Sequence, residues 1–312
     1  MLQKQCILRI YLIVFAVNIS LFKTYSQEFI PLWPNGKMPN SKGMQLKDSI
    51  ANERIYRVGT PGMYAFFPSQ QENKGAAVVI CPGGGYERLA YIISGTIAKW
   101  FNTIGISAFV LNYHLPNSPD LQQREIGPLQ DAQRAIKVIR ANAVKWGIKT
   151  DKIGIQGSSA GGHLAAAAGN QTTDISAIGD SLDKVSFLPN FSILVSPVID
   201  LGKYAHAGSR KNLLGENPSQ QLIEKYSNHL QVNSTTPPAF IVHAFHDRTV
   251  SVRNSLMFYS ALIEKNIPSS LHVFPQGGHA IALRNNPGST EQWTTLCEMW
   301  LVETGFIPQI KQ

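Results

Sequence analysis

Residues 152–168 read KIGIQGSSAGGHLAAAA, and this stretch decides the fold. Lys152–Gln156 reads as a short strand, Gly157-Ser158-Ser159-Ala160-Gly161 fits the pattern G-x-S-x-G, and Gly161–Ala168 reads as an Ala-rich helix. The five-residue string alone is a weak signal. Its setting carries the reading, because a strand runs directly into a helix through a turn too tight for side chains on the neighbours of its serine. Such a turn lifts the Ser159 hydroxyl beyond the sheet, above a helix N-terminus. Backbone N–H groups there can meet a developing negative charge.

Outward from that turn the chain alternates. Met63–Phe67, Ala76–Cys81 (AAVVIC) and Ile106–Tyr113 (ISAFVLNY) precede it as apolar, strand-like runs. Phe191–Val195, Ala239–His243 and Leu271–Phe274 follow it. Helical spacing ends near Ile104, then recurs over Pro128–Val144, Val252–Lys265 and Thr290–Val302. This order predicts an α/β fold: a single domain over residues 27–312 with a mostly parallel central sheet and helices on both faces. Residues 27–50, polar and rich in Pro and Gly, read as an extended lead-in. Residues 200–236 break the alternation with two short helix-like pieces. They read either as an insertion on the catalytic edge, a lid or substrate wall, or as a plain surface excursion.

The sheet restricts the partners of Ser159. Chemistry in such sheets sits on loops at the C-terminal ends of parallel strands, in the chain order serine, acid, histidine. Asp247, in His246-Asp247-Arg248-Thr249-Val250 just past Ala239–His243, sits best, with Asp200 in reserve. Two histidines follow the start of the last strand. His272 lies inside it, whereas His279 lies in Gln276-Gly277-Gly278-His279-Ala280, a loop able to swing beside a serine. Pro82-Gly83-Gly84-Gly85-Tyr86 ends an earlier strand, and three successive glycines let backbone approach a ligand closely. Gly84 and Gly85, with Ala160, are the candidate oxyanion donors. The set predicts acyl transfer: His279 as base for Ser159, and Asp247 orienting and stabilising the imidazolium. Gly179-Asp180-Ser181-Leu182 spells GDSL, but it lies mid-chain after a polar stretch and no D-x-x-H follows. No HExxH or Cys/His cluster and no phosphate loop with a following Lys-Ser/Thr occurs, so neither metal nor cofactor is expected.

Composition agrees with a globular enzyme. The 312 residues are 44% hydrophobic and 15% charged, without repeats or low-complexity tracts. Of the formal charge of +8, three basic residues (Lys4, Arg9 and Lys23) lie in the first 26 positions, leaving a mild +5 with no Lys/Arg run of the kind that binds nucleic acid. Lys4 and Arg9 precede the apolar stretch Ile10–Ile19, and Thr24-Tyr25-Ser26 puts small residues at −3 and −1 before Gln27. That is the pattern of a cleaved secretory signal peptide over residues 1–26, and the stretch is short for a membrane span. A secreted or periplasmic location is therefore expected. Cys81 and Cys297 would remain, read as buried thiols rather than a disulfide.

Taken together these segments resemble the carbohydrate-esterase-like branch of the α/β hydrolases, which includes acetyl xylan esterases and bifunctional feruloyl/acetyl xylan esterases. The resemblance runs over about residues 30–308 through LWPNG (Leu32–Gly36), PGGGY (Pro82–Tyr86), LNYHL (Leu111–Leu115), DAQRAIKVIR (Asp131–Arg140), GSSAGGHLAA (Gly157–Ala166), LVSPVIDL (Leu194–Leu201) and GGHA (Gly277–Ala280). Two positions depart from it: His246 stands where many relatives have Asp, and Ser251 where a proline is usual. The retained Asp247 keeps the acid. The resemblance implies removal of O-acetyl groups from polysaccharides or oligosaccharides. A serine peptidase of the prolyl-oligopeptidase kind shares the elbow and triad order, and a non-catalytic carbohydrate binder shares the fold.

Overall fold

The structure is a computed structural model that describes residues 28–279 and 281–309; the expected leader, 1–26 with cleavage near Ser26–Gln27, lies outside them. Among the described residues ten strands and seven α-helices follow one another as β1 (Glu28–Pro31), β2 (Ser49–Ala51), β3 (Arg54–Arg57), β4 (Gly62–Phe66), β5 (Ala76–Cys81), α1 (Tyr91–Thr103), β6 (Ile106–Asn112), α2 (Gly127–Ala141), β7 (Ile153–Ser158), α3 (Ala160–Asn170), β8 (Ser192–Val195), α4 (Ala207–Leu214), α5 (Gln220–Tyr226), β9 (Ala239–Ala244), α6 (Arg253–Glu264), β10 (Ser270–Phe274) and α7 (Trp293–Glu303). Eight strands form one sheet in the order β1-β4-β6-β5-β7-β8-β9-β10. From β6 to β10 all neighbours are parallel, whereas β4 runs antiparallel to both β6 and β1.

The apolar runs become strands because both faces of the sheet are covered. Along β5, Ala77, Val79 and Cys81 join one core layer while Ala76, Val78 and Ile80 join the other. β9 divides in the same way, with Ala239 and Ile241 on one side and Phe240 and Val242 on the other. This is the period-2 alternation of a strand, with no polar face left over. Helices α2, α3 and α6 cover the first layer; α1 and α7 cover the second. Cys81 and Cys297 are buried free thiols on opposite layers.

The chain leaves β5 toward β6 on one side and returns to β7 on the other. The strand order therefore reverses at β5, which opens a crevice beyond the C-terminal ends of the strands. The loops after β5, β7, β9 and β10 all reach it.

The lead-in is more ordered than its composition suggests. β1 pairs with β4, and β2 with β3. Asn52 and Glu53 join β2 to β3 with φ of 47° and 59°, the two left-handed residues of a type I′ hairpin made without the usual glycine. Leu32 and Trp33 are buried against α2. Asp131 accepts from Trp33 Nε1 at 2.7 Å and from the backbone N–H of His114 at 2.7 Å, and lies 2.8 Å from His114 Nδ1. Burial works against a charged His114, but the carboxylate beside it outweighs that and raises its pKa. Arg134 donates to Leu32 O, pairs with Asp180 and lies over the Trp33 ring. The GDSL string is thereby accounted for, since Asp180 also caps the short 3₁₀ turn Ser181–Lys184.

Asp131→Leu should cost about 3–5 kcal/mol of stability, because it strands buried donors and an imidazole that had a charged partner. Urea denaturation at pH 7 measures this; an unchanged midpoint would show that the lead-in is not anchored through Asp131.

Candidate active site

Ser159 ends the β7 turn with φ 57° and ψ −123°, a sparsely populated conformation that costs about 1–3 kcal/mol in a non-glycine residue. The surroundings impose it. Ser159 N donates to Val195 O at 3.1 Å, and Ser159 O accepts from the N–H of Val198 at 3.0 Å and of His163 at 3.2 Å. A Cβ on Gly157 would stand 2.0 Å from Gly161 O, and one on Gly161 would stand 2.0 Å from Cys81 O. Neither position admits a side chain, so the two glycines of the motif are required by packing.

The strain aims the hydroxyl at His279, whose Nε2 lies 2.8 Å from Ser159 Oγ. The other ring nitrogen, Nδ1, lies 2.8 Å from Asp247 Oδ2. Asp247 Oδ1 accepts from the N–H of Thr249 and of Val250, each at 2.9 Å. Burial alone would raise the Asp247 pKa, but hydrogen bonds from His243, His279 and the Val250 N–H outweigh it and hold the carboxyl well below the usual range. Asp247 is thus a fixed anion, and His279 Nδ1 carries the hydrogen toward it. That leaves Nε2 free to accept a proton from Ser159.

The alternatives drop out on contacts. Asp200 accepts from the backbone N–H of Gly202 and Tyr204 and from Ser227 Oγ, and it orders the start of the 200–236 segment. His272 stays in β10, against the rings of Phe240 and Phe274.

The glycine loop sits directly over Ser159. A Cβ on Gly83 would be 2.8 Å from Ser158 O and 3.4 Å from Ser159 Cβ. Gly84 and Gly85 have φ of 136° and 67°. The carbonyls of the loop are all used: Gly83 O accepts from Ala90 N–H, Gly84 O from Glu87 and Arg88 N–H, and Gly85 O from Asn212 Nδ2. The N–H groups of Gly84 and Gly85, and of Ala160 at the first position of α3, donate to no group among the described residues. Gly84 and Gly85 line the same cleft as Ser159, and Ala160 follows it directly in the chain. Beneath them, Tyr86 donates its hydroxyl to His163 Nδ1 at 2.8 Å, and His163 Nε2 donates to Tyr226 O at 2.7 Å. The second bond fixes the tautomer, because a carbonyl can only accept.

The serine lies in a cleft of about 590 Å³. One wall is apolar, from Ile93 and Ile97 of α1 and from Ile281, Leu283 and Trp293. The other is polar, from Arg54, Arg88, and His206 and Asn212 at the start and within α4. Burial, followed by the charge of His279, lowers the pKa of His206.

Residues not singled out from sequence also shape the site. Gly83 sets the gap above Ser159, His206 joins the wall, and His243 is buried behind Asp247. His243 left one readable sign: it is the polar residue in the otherwise apolar, wholly buried strand AFIVHA.

Burial lowers the His163 pKa from 6.5 to about 4. Between these values the unfolded chain takes up a proton that the folded chain refuses. Stability is therefore retained above pH 6.5 and lost as pH falls toward 4, by about 3 kcal/mol. His163→Gln should flatten that part of the profile in urea denaturation between pH 7 and 4. Equal acid sensitivity in the two proteins would contradict it.

The BD-FAE family model matches residues 63–262. An acetylxylan esterase of Xylanibacter ruminicola is 36% identical over 227 residues, 71% of this chain and 44% of that protein. Endo-1,4-beta-xylanase B of Butyrivibrio fibrisolvens is 34% identical over 256 residues, 80% of this chain and 40% of that protein. The chain thus spans less than half the length of these two curated relatives. Among solved structures, the acetyl ester-xyloside bifunctional hydrolase of Caldicellulosiruptor lactoaceticus is 38% identical with a TM-score of 0.77, covering 90% of this chain and 97% of that one.

Proposed function

The chain belongs to the BD-FAE family, and from that premise we propose that it is a secreted serine carboxylesterase that removes short acyl groups, O-acetyl above all, from the hydroxyls of polysaccharides or oligosaccharides. The observation that carries this reading is the continuous path from Ser159 Oγ through His279 to Asp247, with both steps at 2.8 Å.

In the proposed reaction His279 Nε2 takes the Ser159 proton as Oγ bonds to the ester carbonyl carbon. The resulting oxyanion turns toward the N–H groups of Gly84, Gly85 and Ala160; one such donor is worth about 3–4 kcal/mol where this has been measured in other enzymes. The imidazolium, balanced by Asp247, then protonates the sugar oxygen as the C–O bond breaks, leaving an acyl group on Ser159. Water enters, gives its proton to His279 and attacks the acyl carbon; collapse returns the proton to Ser159 and frees the carboxylic acid.

The names of the 36% and 38% identical relatives support an acetyl group and a xylan-type substrate. On this reading the 200–236 segment is a substrate wall, since His206 and Asn212 line the cleft. Secretion rests on the sequence pattern of residues 1–26. No helix among the described residues is long and apolar enough to cross a membrane.

The test expresses the full-length chain in a secreting host and purifies the exported protein, expected to begin at Gln27. Its hydrolysis of p-nitrophenyl acetate, butyrate and octanoate is then compared with that of Ser159→Ala. Acetate should be turned over fastest, with rates falling as the acyl chain lengthens, and Ser159→Ala should lose about four orders of magnitude or more in kcat. Activity that survives Ser159→Ala, or no turnover of any ester, contradicts the esterase reading. An exported protein that retains residues 1–26 contradicts the leader.

A further inference from the structure

His243 is wholly buried in β9, four residues before the acid, and all of its ring hydrogen-bonding capacity is used. Its Nε2 lies 2.9 Å from Val250 O and 3.2 Å from Asp247 Oδ2. Both partners are acceptors, so Nε2 carries the hydrogen. Its Nδ1 lies 2.7 Å from Ser255 Oγ in α6, so in the neutral ring the serine hydroxyl donates to Nδ1. Asp247 Oδ1 thereby accepts from the Thr249 and Val250 N–H groups and Oδ2 pairs with His279 at 2.8 Å, while the one Nε2 hydrogen of His243 is shared between Val250 O at 2.9 Å and Asp247 Oδ2 at 3.2 Å. Two imidazoles share one carboxylate oxygen. One belongs to the rigid strand β9 and the other to a loop.

We propose that His243 is a positioning residue for the triad, fixing Asp247 Oδ2 from the β9 side so that the carboxylate holds His279 in line with Ser159. Removing it would leave His279 as the sole side-chain donor to Oδ2, so the carboxylate could turn with the loop it is meant to hold. A relay then runs from Ser255 through His243, Asp247 and His279 to Ser159, tying the nucleophile's base to α6. This inference rests on the esterase reading of Ser159. A purely structural His243, joining β9 to the Val250 loop and α6, would affect folding but not the pH dependence of the reaction. The titratable groups facing Asp247 are His243 on β9, His279 on the loop after β10, and His206 at the start of α4.

The test compares the whole enzyme with His243→Leu, His243→Gln and Ser255→Ala on p-nitrophenyl acetate. Two readouts are used, the steady-state pH profile and the rate at which a fluorophosphonate labels Ser159. His243→Leu should lower kcat about 10- to 100-fold with KM within about twofold, since small misplacements of a catalytic group carry costs of that size. It should also move the acid limb of kcat/KM up by about half a pH unit, because a carboxylate with one donor fewer attracts the proton on its remaining imidazole more strongly. His243→Gln keeps an N–H near the Nε2 position and should recover most of the rate. Ser255→Ala leaves Nδ1 without its α6 partner and loosens the ring while its tautomer stays fixed by the acceptors on Nε2, and it should fall between them. Wild-type kcat and an unmoved acid limb in folded His243→Leu would overturn the proposal. If that variant does not fold, the same result in Ser255→Ala overturns it. If the wild type hydrolyses no ester, the labelling rates carry the comparison, so failure of the esterase reading remains distinguishable from failure of this one.

Discussion

The packing of α3 against the ends of β5 and β7 is the constraint on which the rest depends. Gly157 meets Gly161 O and Gly161 meets Cys81 O at separations that leave no room for a Cβ. That contact brings the helix start directly over the strand end, so the chain must reverse within a single residue. Ser159 takes the left-handed conformation that results. The strain is sustained by backbone hydrogen bonds to Val195, Val198 and His163. On the proposed function it does chemical service, because the same geometry exposes the hydroxyl and sets an unengaged helix N–H beside it.

Around that point, loops from separate strands need anchoring in relation to one another. The glycine loop is tied from below through Tyr86, His163 and the Tyr226 carbonyl, and from the side through Asn212. The acid is tied by its own loop's N–H groups and by His243. The His279 loop is tied on either side of the histidine, by Thr290 Oγ1 donating to Gln276 O and by Trp293 Nε1 donating to Ala282 O, and on the proposed function His279 is the residue that faces the serine, the leaving group and water in turn. Donors and base each held by anchored loops is the arrangement that electrostatic preorganisation calls for.

The parts legible in the sequence were those whose local pattern and final environment agree. β5, β6, β7 and β9 are short apolar runs buried on both faces, so their composition announces them. Ser159 was marked by glycines that packing requires, and His279 by its place after the last strand. β1 was hidden because four residues ending in proline form a strand only when β4 is there to pair with them. The β2–β3 hairpin was hidden because Asn52-Glu53 adopts a turn that usually carries glycine. His243 showed only as a polar residue in an apolar strand, because its partners come from the following loop and from α6 and no spacing rule joins them. Asp200 and Asp247 both follow strands and both cap their own loops. Proximity to His279 separates them, and only the fold supplies that.

The central claim is that this geometry makes Ser159 a covalent nucleophile. Acid-quenching the enzyme during turnover of p-nitrophenyl acetate, digesting it and measuring the mass of the peptide that carries Ser159 tests the claim directly. The account predicts one acetyl group on Ser159, accumulating in Asp247→Asn or His279→Ala no faster than their reduced turnover allows. Turnover without an acetylated Ser159, or an acetyl group carried by another residue, would contradict it.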